Sequence, residues 1–535
     1  MKKILYILIF VPCLFMASCI QNDVPLPVKV INVLSVRGDG FTVSDNDINR
    51  QDQRVLMHLD ETIDVRNVNI TEVKITEGGL SDRELTGTFD FTTPQYFKLY
   101  LYQDYIWKFE AQQVIERYFN VTNQIGESDF IESARLFCAH VPKGTDLSKV
   151  KITSVKLGPR DITTISPDPS TITFSEENPS VEVVVSYFDR EEKWTLAVEE
   201  TEIAIQIVKA VAWEKSIRLR VAAKQSDNQG IRFRVKNTET WTETKNLKAT
   251  SGGFECVLEG VYEDTEYEIQ AFSGSDESAL TTVKTGHIQD IENKGFEQWM
   301  TKNDIIYPYA DEAHPYWATG NVGSAIVGVT LTEGIGEQRP DSSGALCARL
   351  TSKFASVFGV GKFAAGNLYL GKYVRNDGTN GVVNFGRPFT AHPKALRIWM
   401  KYKCGVIDYV GAKQPVSSGI KKGDKDVGTI YIALGNWDHN IYGGTEESPI
   451  QIATKIIEDT AFNPKGEAVI AYGELSLSED VTAWQQFDIP VVYYDEFTDK
   501  QPTHIVITCS SSRYGDYFTG STGSVMWLDD FELIY

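Results

Sequence analysis

The chain has 535 residues, 42% of them apolar and 23% charged, which at about 150 residues per domain is enough for three or four domains with cores of their own. This composition excludes a disordered tail, and 52 basic against 73 acidic residues, a formal charge of -21, exclude nucleic acid as a partner because such a surface repels phosphate. No stretch after residue 18 reaches about 18 uninterrupted apolar residues, so no later segment is predicted to cross a bilayer as a helix.

At the N-terminus, Lys2 and Lys3 precede an apolar run from Ile4 to Phe15 that ends in Met16-Ala17-Ser18-Cys19. Charge, a short apolar core and small residues before a cut site make residues 1–18 a secretory signal. The placement of Cys19 resembles a bacterial lipoprotein signal, with Met16 where leucine is usual. That resemblance implies a lipidated Cys19 as the first mature residue, a membrane anchor through lipid, and an extracytoplasmic, outer-membrane location on the cell surface or the periplasmic side. Residues 19–27, with Pro25 and Pro27, read as a tether. The five remaining cysteines are odd in number and far apart, which favours buried free thiols over a disulfide framework or a zinc site.

An internal repeat follows. Val55 to Ile75 aligns with Phe137 to Leu157 at a constant offset of 82, pairing His58 with His140 and Asp64 with Asp146, and Trp107 echoes Trp194 at an offset of 87. Alternation such as Val68, Ile70 against polar neighbours makes each copy a β-domain. Residues 28–117 and 118–206 are predicted to be immunoglobulin-like sandwiches with Trp107 and Trp194 as core aromatics. The paired histidines sit on matching strands with no second ligand nearby in sequence, and a structural role is expected for both.

Alternation continues over 207–286, in Ile217, Leu219, Val221 and Ile231, Phe233, Val235. The segment from Leu258 through Gly260, Thr265 and Tyr267 resembles the signature of fibronectin type III domains, with Glu263-Asp264 where Pro-Gly is usual. The resemblance implies that Tyr267 bonds its hydroxyl to upstream backbone. These small sandwiches read as spacers or contact surfaces.

Composition shifts at residue 287, beyond which lie 27 of the 41 glycines and six of the ten tryptophans. Aromatic strands broken by Gly, Asn and Asp turns predict a larger β-sandwich or jelly roll over 287–535, with Pro449 to Asp459 as the best short-helix candidate. The order of Gly295-Phe296-Glu297-Gln298-Trp299, Pro315-Tyr316-Trp317, Ser342-Ser343-Gly344, Ala365-Gly366-Asn367-Leu368-Tyr369, Phe385-Gly386-Arg387-Pro388, Ser510-Ser511-Ser512-Arg513-Tyr514-Gly515-Asp516 and Asp529-Asp530 resembles the "putative carbohydrate metabolism domain" of Bacteroidetes surface lipoproteins. It implies an all-β chain: three small immunoglobulin-like or fibronectin III-like sandwiches, then a jelly roll similar to carbohydrate-binding modules. No catalytic residues come with the resemblance.

Sugars stack apolar C–H faces on flat rings and pair hydroxyls with polar groups, so exposed Trp or Tyr beside Asp, Asn or Arg marks a glycan site. On the strand from Ala395 to Lys403, Arg397 and Trp399 share the polar face, where neighbouring alkyl stems can equally cover the ring. Trp437 and Asp438 follow an apolar strand into a polar loop; the alternative is a tryptophan folded over the sandwich end. Tyr316, Trp317, Arg513 and Tyr514 offer similar material. Glu297, Asp529 and Asp530 occupy places where a structural calcium clips first and last strands together, and the apolar pattern changes parity at the two aspartates, which predicts a bulge. The expected function is non-catalytic glycan binding in polysaccharide capture. The alternatives are a glycoside-active enzyme using Glu474, Asp516 and Asp438, or an adhesin that grips a surface protein.

Overall fold

The computed structural model describes residues 30–44, 47–224, 226–357, 360–415 and 418–535, so the signal, Cys19 and the tether lie outside the described residues. Nearly all of the described regular structure is strand, and the described helices have three or four residues each. The chain divides into two units, residues 1–113 and 114–535.

The first unit is a sandwich of two sheets, one built on Val33–Gly38, Val68–Ile75 and Gly87–Phe89, the other centred on Arg54–Leu59, Asp104–Gln113 and Gln95–Tyr100. Alternation along Arg54–Leu59 sends Val55, Met57 and Leu59 inward against Trp107 and Phe109. Trp107 is fully buried and donates its indole N–H to the Ile31 carbonyl at 3.2 Å, which satisfies its one polar group. Arg54–Leu59 pairs in parallel with Asp104–Gln113, an unusual feature in a mainly antiparallel sandwich.

The second unit begins with a sandwich that repeats this pairing. Leu136–Pro142 runs parallel to Arg190–Thr201, and Trp194 is buried with Leu196 and Val198. His58 lies opposite Gln112 and His140 opposite Glu199, so the offset of 82 on one strand and 87 on the other is kept as register. The expectation that neither histidine has another ligand nearby is corrected. His58 Nε2 lies 2.8 Å from Asp47, and His140 Nε2 lies 3.0 Å from Asp129 with Cys138 and Glu199 also close by.

In the third sandwich the Tyr267 hydroxyl accepts the Tyr262 backbone N–H at 2.8 Å, the corner bond that the signature implies. It abuts the second sandwich where Gly126 donates to the Gly252 carbonyl at 2.7 Å. A Cβ on Gly252 would lie 1.7 Å from the Gly126 carbonyl oxygen, so backbone approach here tolerates no side chain.

The third sandwich is more than a spacer, because Val211 and Trp213 belong to the core of the C-terminal head. Trp213 stacks on His392 with ring centroids 5.0 Å apart and planes 8° apart, and Arg218 covers it from 3.3 Å. Its indole N–H donates to the Thr498 carbonyl at 3.3 Å, and buried Glu214 accepts the His392 backbone N–H at 2.9 Å.

The head packs two antiparallel sheets face to face. The larger carries Asn380–Phe385, Asn367–Asp377, His504–Ser510, Gly428–Gly435 and Val469–Leu477 in that order; the smaller carries Cys347–Thr351, Val525–Ile534, Ala395–Lys403 and Val481–Pro490. Leu396, Ile398, Met400 and Tyr402 meet Ile430, Ile432 and Leu434 between them. The parity change near the C-terminus is a bulge: Arg397 pairs Glu532 while Trp399 pairs Asp529, three steps against two, with Asp530 at φ 42°. The expected helix over Pro449 to Asp459 is corrected. Ile450–Ala453 is a strand on Asn380–Phe385, because β-branched isoleucines fit the pleat better, and helical turns form only after it, at Thr454–Ile456 and Ile457–Thr460.

Candidate functional site

The central strands of the larger sheet are buried on both faces, and the outer face, which mixes aromatic and polar side chains, carries the site. Tyr369, Thr508 and Tyr431 lie opposite one another on three adjacent strands, and Glu474 continues the row on a fourth. The next row, two residues along, is Asn367, Ser510, Thr429 and Ser476. Period-two alternation sends their neighbours Leu368, Ile430, Ile507 and Cys509 the other way into the core. Beyond Ala433 the outer face is closed by Trp437, Ile457 and Val469 with Phe462 packed on them.

At the other end it opens. Walls from the hairpin Lys353–Val357 and Val360–Ala364, the helical turn Asn321–Ser324 and the segment 513–518 enclose a cavity of about 260 Å³ over this floor. Tyr431, Tyr373 and Phe518 line it half-exposed, and Lys362 lies 3.9 Å over the Phe518 ring. The Tyr369 hydroxyl, buried in this floor, has no hydrogen-bond partner among the described residues.

Two carboxylates differ sharply here. Burial works to raise the pKa of Glu474, but hydrogen bonds from Ser476 at 2.7 Å, Tyr472 at 2.8 Å and Thr429 at 3.2 Å, with the guanidinium of Arg513 beside it, outweigh burial and hold the carboxyl below its ordinary range. Glu474 therefore fixes Arg513 at the cavity wall. Asp516 is open to the cavity and has no hydrogen bond or ion pair among the described residues; loss of hydration inside the cleft pushes its pKa up to about 6.

Of the residues picked from sequence, Arg513 and Asp516 line this cavity. Tyr514 is next to it, half-buried, with its ring 6.4 Å from Tyr517. Arg397 and Trp399 lie on the outer face of the smaller sheet, on the far side of the core. There Arg397 forks onto Asp488 at 2.8 and 3.0 Å, and the Arg339 guanidinium covers Trp399 from 4.8 Å. Lys401 bridges Trp484 and Trp527 at 5.1 and 4.9 Å on that same face. Trp437 is buried beneath Phe462, while Asp438 caps the turn His439–Tyr442 by accepting from Asn440 at 2.9 Å. Trp317 is fully buried against Phe296 and Phe531, its N–H on the Glu292 carbonyl at 2.8 Å, and Tyr316 packs beside that core.

Glu297, Asp529 and Asp530 gather on the loop before Cys347–Thr351. Glu297 accepts the Ala345 and Leu346 N–H groups, Asp529 accepts the Arg339 N–H at 2.9 Å, and Asp530 accepts from Ser342 at 3.0 Å. The Arg339 guanidinium lies 2.6 Å from Asp530. Arg339→Ala should cost about 2 kcal/mol through the loss of a partly buried pair. A calcium ion held by these carboxylates would make the melting temperature fall with chelator.

Sequence reasoning missed Tyr369, Tyr373, Tyr431 and Phe518 because they sit in or beside strands that read as core on both faces. The available signal was a tyrosine, with a hydroxyl to satisfy, at successive outward positions of such strands.

Residues 287–534 match the family model described as "Putative carbohydrate metabolism domain". No curated protein matches the chain. Among solved structures, the chain is similar to a protein described as a putative glycoside hydrolase from Bacteroides thetaiotaomicron, with 14% identity, a TM-score of 0.31, and 96% of this chain and 98% of that one covered. A second protein so described, from Bacteroides vulgatus, is 20% identical with a TM-score of 0.32 over 46% of this chain and 96% of that one. The Bacteroides ovatus protein SGBP-B from a mixed-linkage glucan utilization locus, in complex with a heptasaccharide, is 7% identical with a TM-score of 0.20 over 90% and 100%.

Proposed function

From a chain whose residues 287–534 match that carbohydrate-metabolism family, we propose that the cavity over the larger sheet of the head binds a short stretch of glycan without cleaving it. One observation carries this reading: partly exposed rings of Tyr431, Tyr373 and Phe518 share a cavity with a fixed guanidinium and a carboxylate that has no partner among the described residues. Rings supply faces for sugar C–H groups, Arg513 supplies a planar donor set, and Asp516 accepts from hydroxyls. The same reading places the protein outside the cytoplasm, anchored at the outer membrane by lipid on Cys19, with the head serving polysaccharide capture. Loss of labelled palmitate in Cys19→Ala together with loss from the membrane fraction tests the anchor.

A glycan array probed with the purified chain, followed by titration of the best ligand, tests the site. Tyr431→Ala should weaken binding by about 2 kcal/mol, roughly 30-fold, while Tyr431→Phe keeps the stack and most of the affinity. Asp516 gives the reading a pH signature. Above a pKa of about 6 it is ionised and accepts strongly; as pH falls through 6 it gains a proton and the charge-assisted bond weakens. Affinity is expected to drop roughly fivefold from pH 7 to pH 5, and the Asp516→Asn variant should be flat over that window. No glycan bound by wild type, with retention of a protein partner that Tyr431→Ala leaves untouched, would hand the protein to the adhesin reading.

A second reading has one observation in its favour. Glu474, held ionised, and Asp516, pushed up to about 6, both act on Tyr431, and environments that drive two carboxylates apart are how acid and base roles are divided. Release of reducing ends that vanishes in Asp516→Asn would make the head a glycosidase.

A further inference from the structure

The second sandwich carries a cluster that the head does not explain. Cys138 and His140 are two residues apart on Leu136–Pro142, so both point away from the core that takes Phe137, Ala139 and Val141. Glu199 lies opposite His140 on the adjacent parallel strand, and Asp129 lies opposite Cys138 on Asp129–Ile131. Three neighbouring strands thus deliver a thiol, an imidazole and two carboxylates to one patch of sheet surface. Ligand atoms of Cys138, His140 and Glu199 all lie within 4.8 Å of one another. Asp129 stands 3.0 Å from Nε2 of His140, where a carboxylate orients a metal-bound imidazole.

We propose that Cys138, His140 and Glu199, with Asp129 in support, bind one transition-metal ion of the zinc class. Sulfur with imidazole nitrogen selects a borderline-soft ion over calcium or magnesium, and three protein ligands with a fourth position left to solvent is an ordinary zinc count. Binding breaks the S–H bond of Cys138, releases its proton to water and forms the sulfur–metal bond, with no redox change. The other sandwich repeat supplies a comparison inside the same chain. It keeps the histidine–carboxylate pair, with His58 Nε2 2.8 Å from Asp47, but has Leu56 where the thiol stands and Gln112 where Glu199 stands. The pair alone therefore serves the fold, and the thiol and third carboxylate are what the second copy adds. A different group, Glu263, Asp264 and His287, also converges but has no sulfur, and its imidazole is already 2.7 Å from Asp264.

Cobalt(II) added to the purified full chain is the probe, because cobalt bound to thiolate shows a near-ultraviolet charge-transfer band that oxygen and nitrogen ligands do not give. The expected result is one equivalent bound with that band present. Cys138→Ser should abolish the band, His140→Ala should weaken binding at least tenfold, and His58→Ala should leave both intact. Melting curves of the metal-free variants, matched to metal-free wild type, show that the fold survives each change. The proposal falls if no charge-transfer band appears, if the band survives Cys138→Ser, or if the bound ion is lost in His287→Ala instead.

Discussion

Arg387→Met is expected to lower the stability of the head by about 4 kcal/mol, a fall in melting temperature of about 8–16 °C at 2–4 °C per kcal/mol for a domain of this size. The guanidinium is 5% exposed and donates to four acceptors: the carbonyls of Pro315, of Tyr316 at 2.9 Å and of Gly371 at 2.5 Å, and Ser448 Oγ at 2.8 Å. A bond from a charged donor contributes about 1.5–3 kcal/mol, while the cost of dehydrating the guanidinium offsets part of their sum. Methionine fills the volume and takes the guanidinium donors from three carbonyls, of which that of Tyr316 keeps the Gly371 N–H at 3.3 Å, so the loss is that of pairing and not of packing. Arg387→Lys should recover little, since one ammonium cannot fork to acceptors on three segments. A loss below about 1 kcal/mol in thermal unfolding of Arg387→Met would show that water takes over these carbonyls.

That knot explains what the distinctive segments of the head are for. Pro315-Tyr316, Gly371 and Phe385-Gly386-Arg387 are far apart in sequence and meet at one guanidinium. Ser510-Ser511-Ser512 meets Ser352 and buried Asp426 in a second knot, and Ser342 with Glu297 and Asp530 forms the loop clip. The series that made the family resemblance legible is partly polar scaffolding, and it also carries Asn367, Tyr369, Arg513 and Asp516, which line the cavity, without showing that they converge. Alternation located the strands, the two core tryptophans and the bulge, because period-two burial and a parity break are local properties of a chain. Register across four strands is not local. The row Tyr369, Thr508, Tyr431, Glu474 draws on residues up to 139 apart in sequence. Trp399 and Trp437 stood out in sequence because each has polar neighbours, and polar neighbours are what cover a ring: Arg339 lies over the first, while loop residues including Phe462 fold over the second.

Trp213→Ala is expected to cost about 3–5 kcal/mol and to uncouple the third sandwich from the head, since a fully packed indole leaves a cavity that the sheets on either side cannot close. Wild type should melt residues 205–535 as one cooperative transition, because Val211 and Trp213 complete the head core and Glu214 satisfies the His392 backbone. The variant should show two transitions in calorimetry, the third sandwich separating from the head. The physical reason extends to any truncation at residue 287. Cutting there removes Trp213 from His392 and Tyr493, whose ring lies 4.3 Å from the indole, and exposes an apolar face that nothing else covers. Residues 287–535 alone should therefore bind a hydrophobic dye or associate where residues 205–535 do not, and glycan titrations belong on the longer piece. If the truncated head melts at the same temperature as the longer piece, with no dye binding, the third sandwich is a spacer after all. Should the coupling hold, the cavity over the larger sheet is fixed in direction relative to the third sandwich, and any freedom to turn the head must come from segments nearer the N-terminus.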